Sequence, residues 1–238
     1  MSSEQRAAPP LREKSHAETI STFPPSQPIM PEASQSSDPG SDTAWRQDVM
    51  ELSRILSHLE KGETIDMTSV PETLASLIDK HNANTASGSA VPPESQNVIP
   101  NVMRVVHICC YRQDGKDVFW PWVRRELQNA VEREGQGRSV ALAAIFNKMV
   151  TTADRALLRQ HAPDVLPVLK FALQVCANGR VLAILLNALV KLSEDARAIF
   201  LTEFEEFIQI MVTVAMDTER HAADTRNNMI STLGKYDF

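Results

Sequence analysis

The sequence predicts an all-α fold, and three observations support this prediction. Apolar residues recur at intervals of three and four along most of the chain after residue 43, which is the periodicity of amphipathic helices. No segment keeps the alternation of apolar and polar residues that is typical of a strand. The apolar pattern also repeats about every 43 residues between residues 98 and 238, which indicates a series of similar helical units.

The first 42 residues form a Pro- and Ser-rich arm that we expect to be disordered. Residues 1–43 hold seven of the 14 prolines of the chain and few apolar residues, so burial cannot offset the chain entropy. The pattern Pro25-x-x-Pro28-x-x-Pro31 has the three-residue period of a polyproline II helix. A ligand of SH3 or WW domains is therefore an alternative to an ordinary disordered tail.

Residues 43–81 are predicted to form two short amphipathic helices. The apolar residues of the first lie on one narrow face, which is a candidate partner-binding face: Trp45, Val49, Leu52, Leu56 and Leu59. Gly62 ends this helix. The sequence Ser69-Val-Pro71-Glu72 is a capping box that begins the second helix, which runs to about His81. Residues 82–97 are small and polar, and are predicted to be a linker or mobile loop.

Residues 98–238 form the main helical domain, which stop and start signals divide into consecutive helices. Stops are predicted at Asp114–Gly115, Gly135–Gly137, Thr151–Asp154 and Asn178–Gly179. Starts are predicted at Pro121, at Pro163 and at a capping box formed by Thr202 and Glu205. The segment from Val181 to Leu192 is apolar almost all round, so we expect a buried helix there.

The internal repeat becomes visible when the chain is shifted by 43 residues against itself. Leu142 then meets Leu185, and Lys148 meets Lys191, without a gap. The period and the paired long helices resemble armadillo and HEAT repeats, and the sequence Ala188-Leu-Val-Lys-Leu-Ser resembles the end of an armadillo third helix. The resemblance covers about 140 residues and implies a short right-handed stack of about three and a half units. An irregular bundle whose units happen to have equal length is the alternative.

The resemblance also implies a protein-binding groove. Armadillo proteins that hold extended peptides carry an asparagine ladder on the third helix, whereas the matching positions here are Lys148 and Lys191, near Asn187. We therefore expect an acidic segment or a whole partner domain as the ligand. A second candidate surface is Trp120-Pro-Trp122 with Arg124 and Arg125, since Trp and Arg are enriched in binding hot spots; packing of both indoles inside the domain is the alternative.

Composition argues against other functions. The net charge is −6, whereas a strongly basic domain would be expected for nucleic-acid binding, so the charge argues against that function. His107-x-Cys109-Cys110 lacks the second ligand pair of a zinc site, and no catalytic or phosphate-binding motif occurs. We expect no metal, no cofactor and free thiols. The absence of a signal peptide and of a long apolar run predicts an intracellular protein, in the cytoplasm or nucleus, that does not enter membranes.

The sequence thus favours a non-catalytic adaptor or scaffold that binds one or more proteins through a helical-repeat surface. The alternative is a structural subunit of a larger intracellular assembly, docked through the helices of residues 43–81. An RNA-binding repeat protein and an enzyme have less support.

Overall fold

The computed structural model describes residues 39–86, 97–133 and 136–236, and within these ranges the regular structure is entirely helical. The helices are α1 (Pro39–Glu60), α2 (Val70–Ala86), α3 (Val98–Tyr111), α4 (Gln113–Glu132), α5 (Gln136–Thr152), α6 (Arg155–Val175), α7 (Gly179–Asp195), α8 (Arg197–Phe200), α9 (Phe204–Met216) and α10 (Ala223–Leu233). The all-α prediction is confirmed. Residues 1–38 of the expected disordered arm and residues 87–96 of the expected linker lie outside the described residues. Residues 39–42 of that arm belong to α1, so the predicted start of the first helix at residue 43 is corrected to Pro39.

The end of α1 is set by Gly62, as the sequence predicted. Gly62 has a φ of 72°, in the left-handed region that glycine adopts without a steric cost. The N–H of Gly62 donates to the Leu59 carbonyl at 3.1 Å, and the N–H of Glu63 donates to the His58 carbonyl at 2.9 Å. This pair of bonds is a Schellman motif, which satisfies the last carbonyls of the helix.

Several helix boundaries differ from the predicted ones. Helix α2 continues to Ala86, five residues beyond His81 and into the predicted linker. Pro121 and Pro163 lie inside α4 and α6 instead of starting them. Proline is best tolerated in the first turn of a helix, because it lacks a backbone N–H. Farther inside a helix, packing of the residues before and after the proline can offset the lost hydrogen bond.

The predicted capping box at Thr202 is also wrong. Helix α9 begins at Phe204 and its N-cap residue is Glu203, without a side-chain cap. The Thr202 hydroxyl instead donates to the Ile199 carbonyl at 2.7 Å, which also accepts from the Thr202 N–H at 3.2 Å. Thr202 therefore bonds back to the short helix α8 and does not cap the start of α9.

The helices contact one another in two series. Helices α3, α5, α7 and α10 contact each other in that order, and α4, α6 and α9 do the same. Chain neighbours connect the two series through α3 with α4, α4 with α5, α6 with α7 and α9 with α10. Helix α7 begins and ends 43 residues after α5. Helices α1 and α2 pack on this domain, α1 against α3 and α2 against both α3 and α5.

A tight junction joins α3 to α4. The single residue Arg112 separates the helices and has an extended conformation. This brings Gly115 so close to α3 that a Cβ atom there would lie 2.3 Å from the Cys109 carbonyl oxygen. Such a distance is far inside van der Waals contact, so only glycine fits this position without a shift of the backbone.

We predict that Gly115→Ala destabilises the domain while Gly137→Ala, also within a helix, does not. The first change should lower the free energy of unfolding by about 1–3 kcal/mol, the usual cost of overpacking. A Cβ at Gly137 meets nothing within 4 Å, so the higher helix propensity of alanine should leave stability unchanged or raise it by up to about 1 kcal/mol. Urea denaturation followed by circular dichroism measures both. Equal effects of the two changes would contradict this account of the junction.

Candidate functional site

The surface of α5 and α7 forms one continuous strip. Residues three or four apart share a helix face, so Ala144, Asn147 and Lys148 form one side of the strip, and Ile184, Asn187 and Lys191 form the other. The two sides are joined where Asn187 Nδ2 donates to Asn147 Oδ1 at 3.0 Å. We call these six residues the α5–α7 face.

An apolar groove of about 510 Å³ opens at one end of this face. Ala144 and Ile184 form its near side, and the apolar residues of three helices complete the lining: Ile78, Ile99, Met103 and Val140. Arg180, at the start of α7, and the polar residues His81 and Asn82 of α2 also line it. The groove can take an apolar side chain while a cation lies beside it.

Lys191 is already engaged within the chain. Its Nζ lies 2.5 Å from Asp195 Oδ2, and Arg155 Nε donates to Asp195 Oδ1 at 2.9 Å. Asp195 is only 7% exposed, and the hydrogen bond from Lys191 together with that from Arg155 lowers its pKa, although burial acts in the opposite direction. The lysine pair that the sequence predicts as a binding ladder therefore contains one lysine with an intramolecular structural role.

Lys148 and Arg180 remain available for a ligand. Lys148 is partly exposed and Arg180 is exposed. Neither side chain makes an ion pair or a hydrogen bond with the part of the chain that the structure describes. These two cations, and not Lys148 with Lys191, carry the unpaired positive charge of the face and groove.

The predicted aromatic surface around Trp120 is not exposed. Trp120 is 3% and Trp122 is 9% exposed, and the Trp120 ring stacks on His161 with centroids 4.7 Å apart. Burial lowers the pKa of His161, which favours the neutral imidazole in this stack. Both indoles are thus buried inside the domain, and the Trp120 indole lies against α6.

The arginines beside these indoles have partners on the protein surface. Arg124 pairs with Asp164 of α6 at 3.0 Å, and Arg125 pairs with its neighbour Glu126 at 3.0 Å. The hypothesis of a hot spot built on exposed tryptophans is therefore wrong, because both indoles are buried, whereas Arg125 is exposed.

The narrow face of α1 is also used inside the chain. Its residues Trp45, Leu52, Leu56 and Leu59 are buried and Val49 is partly buried. Helix α1 contacts α2 and α3, which cover this face. The interpretation of this face as a free partner-binding surface is corrected accordingly.

Burial makes the two adjacent thiols unreactive. Cys109 and Cys110 are fully buried, Cys109 Sγ lies 3.9 Å from Met67 Sδ, and burial raises the pKa of each thiol to about 12. A thiol with such a pKa carries almost no thiolate near neutral pH. Among the described residues, no three His, Cys, Asp or Glu side chains cluster as metal ligands would.

Fold and surface together define an all-α protein with an amide-centred strip and an adjoining apolar groove. Comparison with protein-family models, with curated proteins and with solved structures finds no match for the chain. Within residues 39–86, 97–133 and 136–236, no helix has both the length and the apolar character that a membrane span requires.

Sequence reasoning missed Asn147 and the groove. Asn147 and Asn187 are 40 residues apart, out of register with the 43-residue shift, so self-comparison could not pair them. Ile99 and Met103 carry a helical apolar stripe that predicts burial, but they remain partly exposed at the groove. The only available signal was the position of Asn147 directly before Lys148.

We predict that Asp195→Asn lowers the free energy of unfolding by about 1 kcal/mol at pH 7, because the amide loses two charge-assisted bonds to cations that are partly solvated. The pKa of Asp195 is lowered from 3.8, so its contribution is present above pH 3.8 and lost as the pH falls through the lower folded value. The difference from wild type should therefore shrink at pH 3.

Urea denaturation at pH 7 and pH 3 tests this prediction. Glu205→Gln, at an exposed carboxylate of α9, is the matched control and should change stability little at either pH. A difference between Asp195→Asn and wild type that stays constant from pH 7 to pH 3 would argue against the ion-pair explanation.

Proposed function

We propose that this chain is a non-catalytic protein-binding module that holds an acidic segment of a partner protein on the α5–α7 face. One observation carries the proposal: an apolar groove adjoins a hydrogen-bonded amide pair, with the unpaired cations Lys148 and Arg180 beside them. Surfaces of this composition bind peptides through an apolar anchor, main-chain hydrogen bonds and charge complementarity.

Each part of the face has a defined role in this proposal. A leucine- or phenylalanine-sized side chain enters the groove between Met103 and Ile184. The bond between Asn187 and Asn147 leaves the Asn147 amide N–H groups and the Asn187 carbonyl oxygen for the peptide backbone. Lys148 and Arg180 receive carboxylates, which form stronger hydrogen bonds with charged donors than with neutral ones.

The armadillo or HEAT-type architecture is part of the same proposal. It is supported by the two series of helix contacts and by the offset of 43 residues between α5 and α7 at both ends. In a repeat stack one series of helices lines the binding surface, and α5 and α7 belong to one such series.

The alternative functions have less support. Docking into an assembly through the helices of residues 43–81 would need their apolar faces, which α1 and α2 bury against the domain. Nucleic-acid binding would need a wide basic surface, whereas Asp195 neutralises part of the positive charge beside the face. The raised pKa values of Cys109 and Cys110 give no support to a thiol enzyme.

We predict that the double variant Lys148→Glu/Arg180→Glu loses its protein partners. Reversal of two charges should lower the recovery of specific partners about tenfold or more, since each charge-assisted contact contributes about 1.5–3 kcal/mol. Affinity purification of the full chain with quantitative mass spectrometry measures this recovery. Lys191 is left intact, because its replacement would leave the nearly buried Asp195 carboxylate without one of its two cationic partners.

The matched control is Arg133→Glu/Arg159→Glu, which reverses two exposed charges away from the face. This control should keep all partners, and circular dichroism should show both double variants folded. Unchanged recovery with Lys148→Glu/Arg180→Glu, or equal losses in both variants, would contradict the proposed binding face.

A further inference from the structure

A second pocket lies at the opposite end of α7, away from the apolar groove. It has a volume of about 550 Å³ and is bounded by the last turn of α7, by α8, by the start of α9 and by the residues that follow α10. We call it the α7–α9 pocket. Its walls include Ser193, Arg197, Leu201, Phe204, Lys235 and Tyr236.

The apolar part of this pocket is a rigid aromatic cluster. The Phe200 ring stacks on Phe207 with centroids 5.4 Å apart and on Tyr236 at 5.8 Å, and Phe204 meets Tyr236 edge-on at 5.8 Å. Phe200 is buried beneath the pocket, whereas Leu201 at its rim is 54% exposed. An exposed leucine beside an aromatic floor is a surface that an apolar side chain of a partner can cover.

The Tyr236 hydroxyl is buried within this cluster, close to Ser193, and within the described residues it makes no hydrogen bond of good geometry. The Ser193 hydroxyl itself donates to the Val190 carbonyl at 2.7 Å. Burial raises the pKa of Tyr236, so the phenol stays neutral and its ring adds to the apolar floor of the pocket.

The rim of the pocket carries more positive than negative charge. Arg197 and Lys235 are both exposed, and neither makes an ion pair within the described part of the chain. Among the described residues, Glu194 is the single carboxylate of the lining. Lys170 of α6, by contrast, is paired with both Glu203 and Glu206. Arg197 and Lys235 therefore give the rim a positive charge that a carboxylate can neutralise.

We infer that the α7–α9 pocket is a second peptide-binding site, for an acidic segment of a partner protein with a large apolar residue next to a carboxylate. The apolar residue lies on Phe204 and Tyr236 against Leu201. The carboxylate lies between Arg197 and Lys235. The site shares no residue with the α5–α7 face, so it does not depend on the function proposed for that face.

A peptide selection tests this inference on the intact chain. A phage library of random 12-residue peptides is selected on the full-length protein, and selected peptides are synthesised with a fluorescent label. Fluorescence anisotropy then measures the Kd of each for wild type, for Arg197→Glu/Lys235→Glu and for Lys148→Glu/Arg180→Glu. Arg133→Glu/Arg159→Glu is the charge-matched control, and thermal unfolding verifies that each variant is folded.

The expected result is a class of peptides that combine Asp or Glu with an aromatic residue or leucine. Their Kd should rise about tenfold or more with Arg197→Glu/Lys235→Glu and change less than about twofold with the other two variants. Their affinity should also fall as salt is raised, because the rim charges are exposed.

Two results would overturn the inference. One is that no selected peptide is weakened by Arg197→Glu/Lys235→Glu more than by Arg133→Glu/Arg159→Glu. The other is that the peptides whose binding is weakened by Arg197→Glu/Lys235→Glu lack acidic residues. If the binding of all selected peptides is weakened only by Lys148→Glu/Arg180→Glu, the result supports the α5–α7 face and contradicts the second site. The two proposals can therefore fail separately.

Discussion

The packing of α5 against α7 is the contact on which the rest of the structure depends. Helix α5 also contacts α2, α3 and α4, and α7 also contacts α6, α8 and α10, so this pair connects the two halves of the domain. Both helices place fully buried side chains in the core, among them Phe146 and Met149 of α5 and Leu185 and Leu189 of α7. Because apolar residues occupy most of each circumference, polar residues remain only on a narrow strip. Core packing thereby places Asn147 and Asn187 within hydrogen-bonding distance of each other.

The same packing decides which charges are available for binding. Asp195 ends α7, where the helix dipole disfavours a carboxylate, and it is nearly buried, so its charge requires the two cations Lys191 and Arg155. Ion pairs also connect neighbouring helices elsewhere, as between Arg138 and Glu72 or between Lys170 and Glu203. Cations with a carboxylate partner are thus neutralised, whether that partner lies on another helix or on the same one, as Glu126 does for Arg125. Cations without such a partner are the ones available to a ligand.

Local signals in the sequence predicted helices well and surfaces poorly. Apolar periodicity, Gly62 and the 43-residue shift depend on residues close in sequence or in equivalent units. They placed α5, α7 and the end of α1, although α1 begins at Pro39 and not at residue 43. Exposure depends on which distant element covers a residue. Nothing near Trp120 in the sequence indicates that His161 of α6 stacks on it. Likewise, Lys191 was a reasonable candidate ligand site until the fold brought Arg155 beside the Asp195 carboxylate that both cations share.

Helix α7 connects the two proposed sites, and its length constrains any partner that would use both. Arg180 lies at its start and Arg197 just beyond its end, so the cations are about 25 Å apart along the axis at 1.5 Å per residue. An extended peptide covers this span with about eight residues. Glu194 is exposed in the wall of the α7–α9 pocket that α7 forms and would repel a uniformly acidic segment. A partner segment that reached both sites would therefore carry its carboxylates at the two ends, with neutral residues between them.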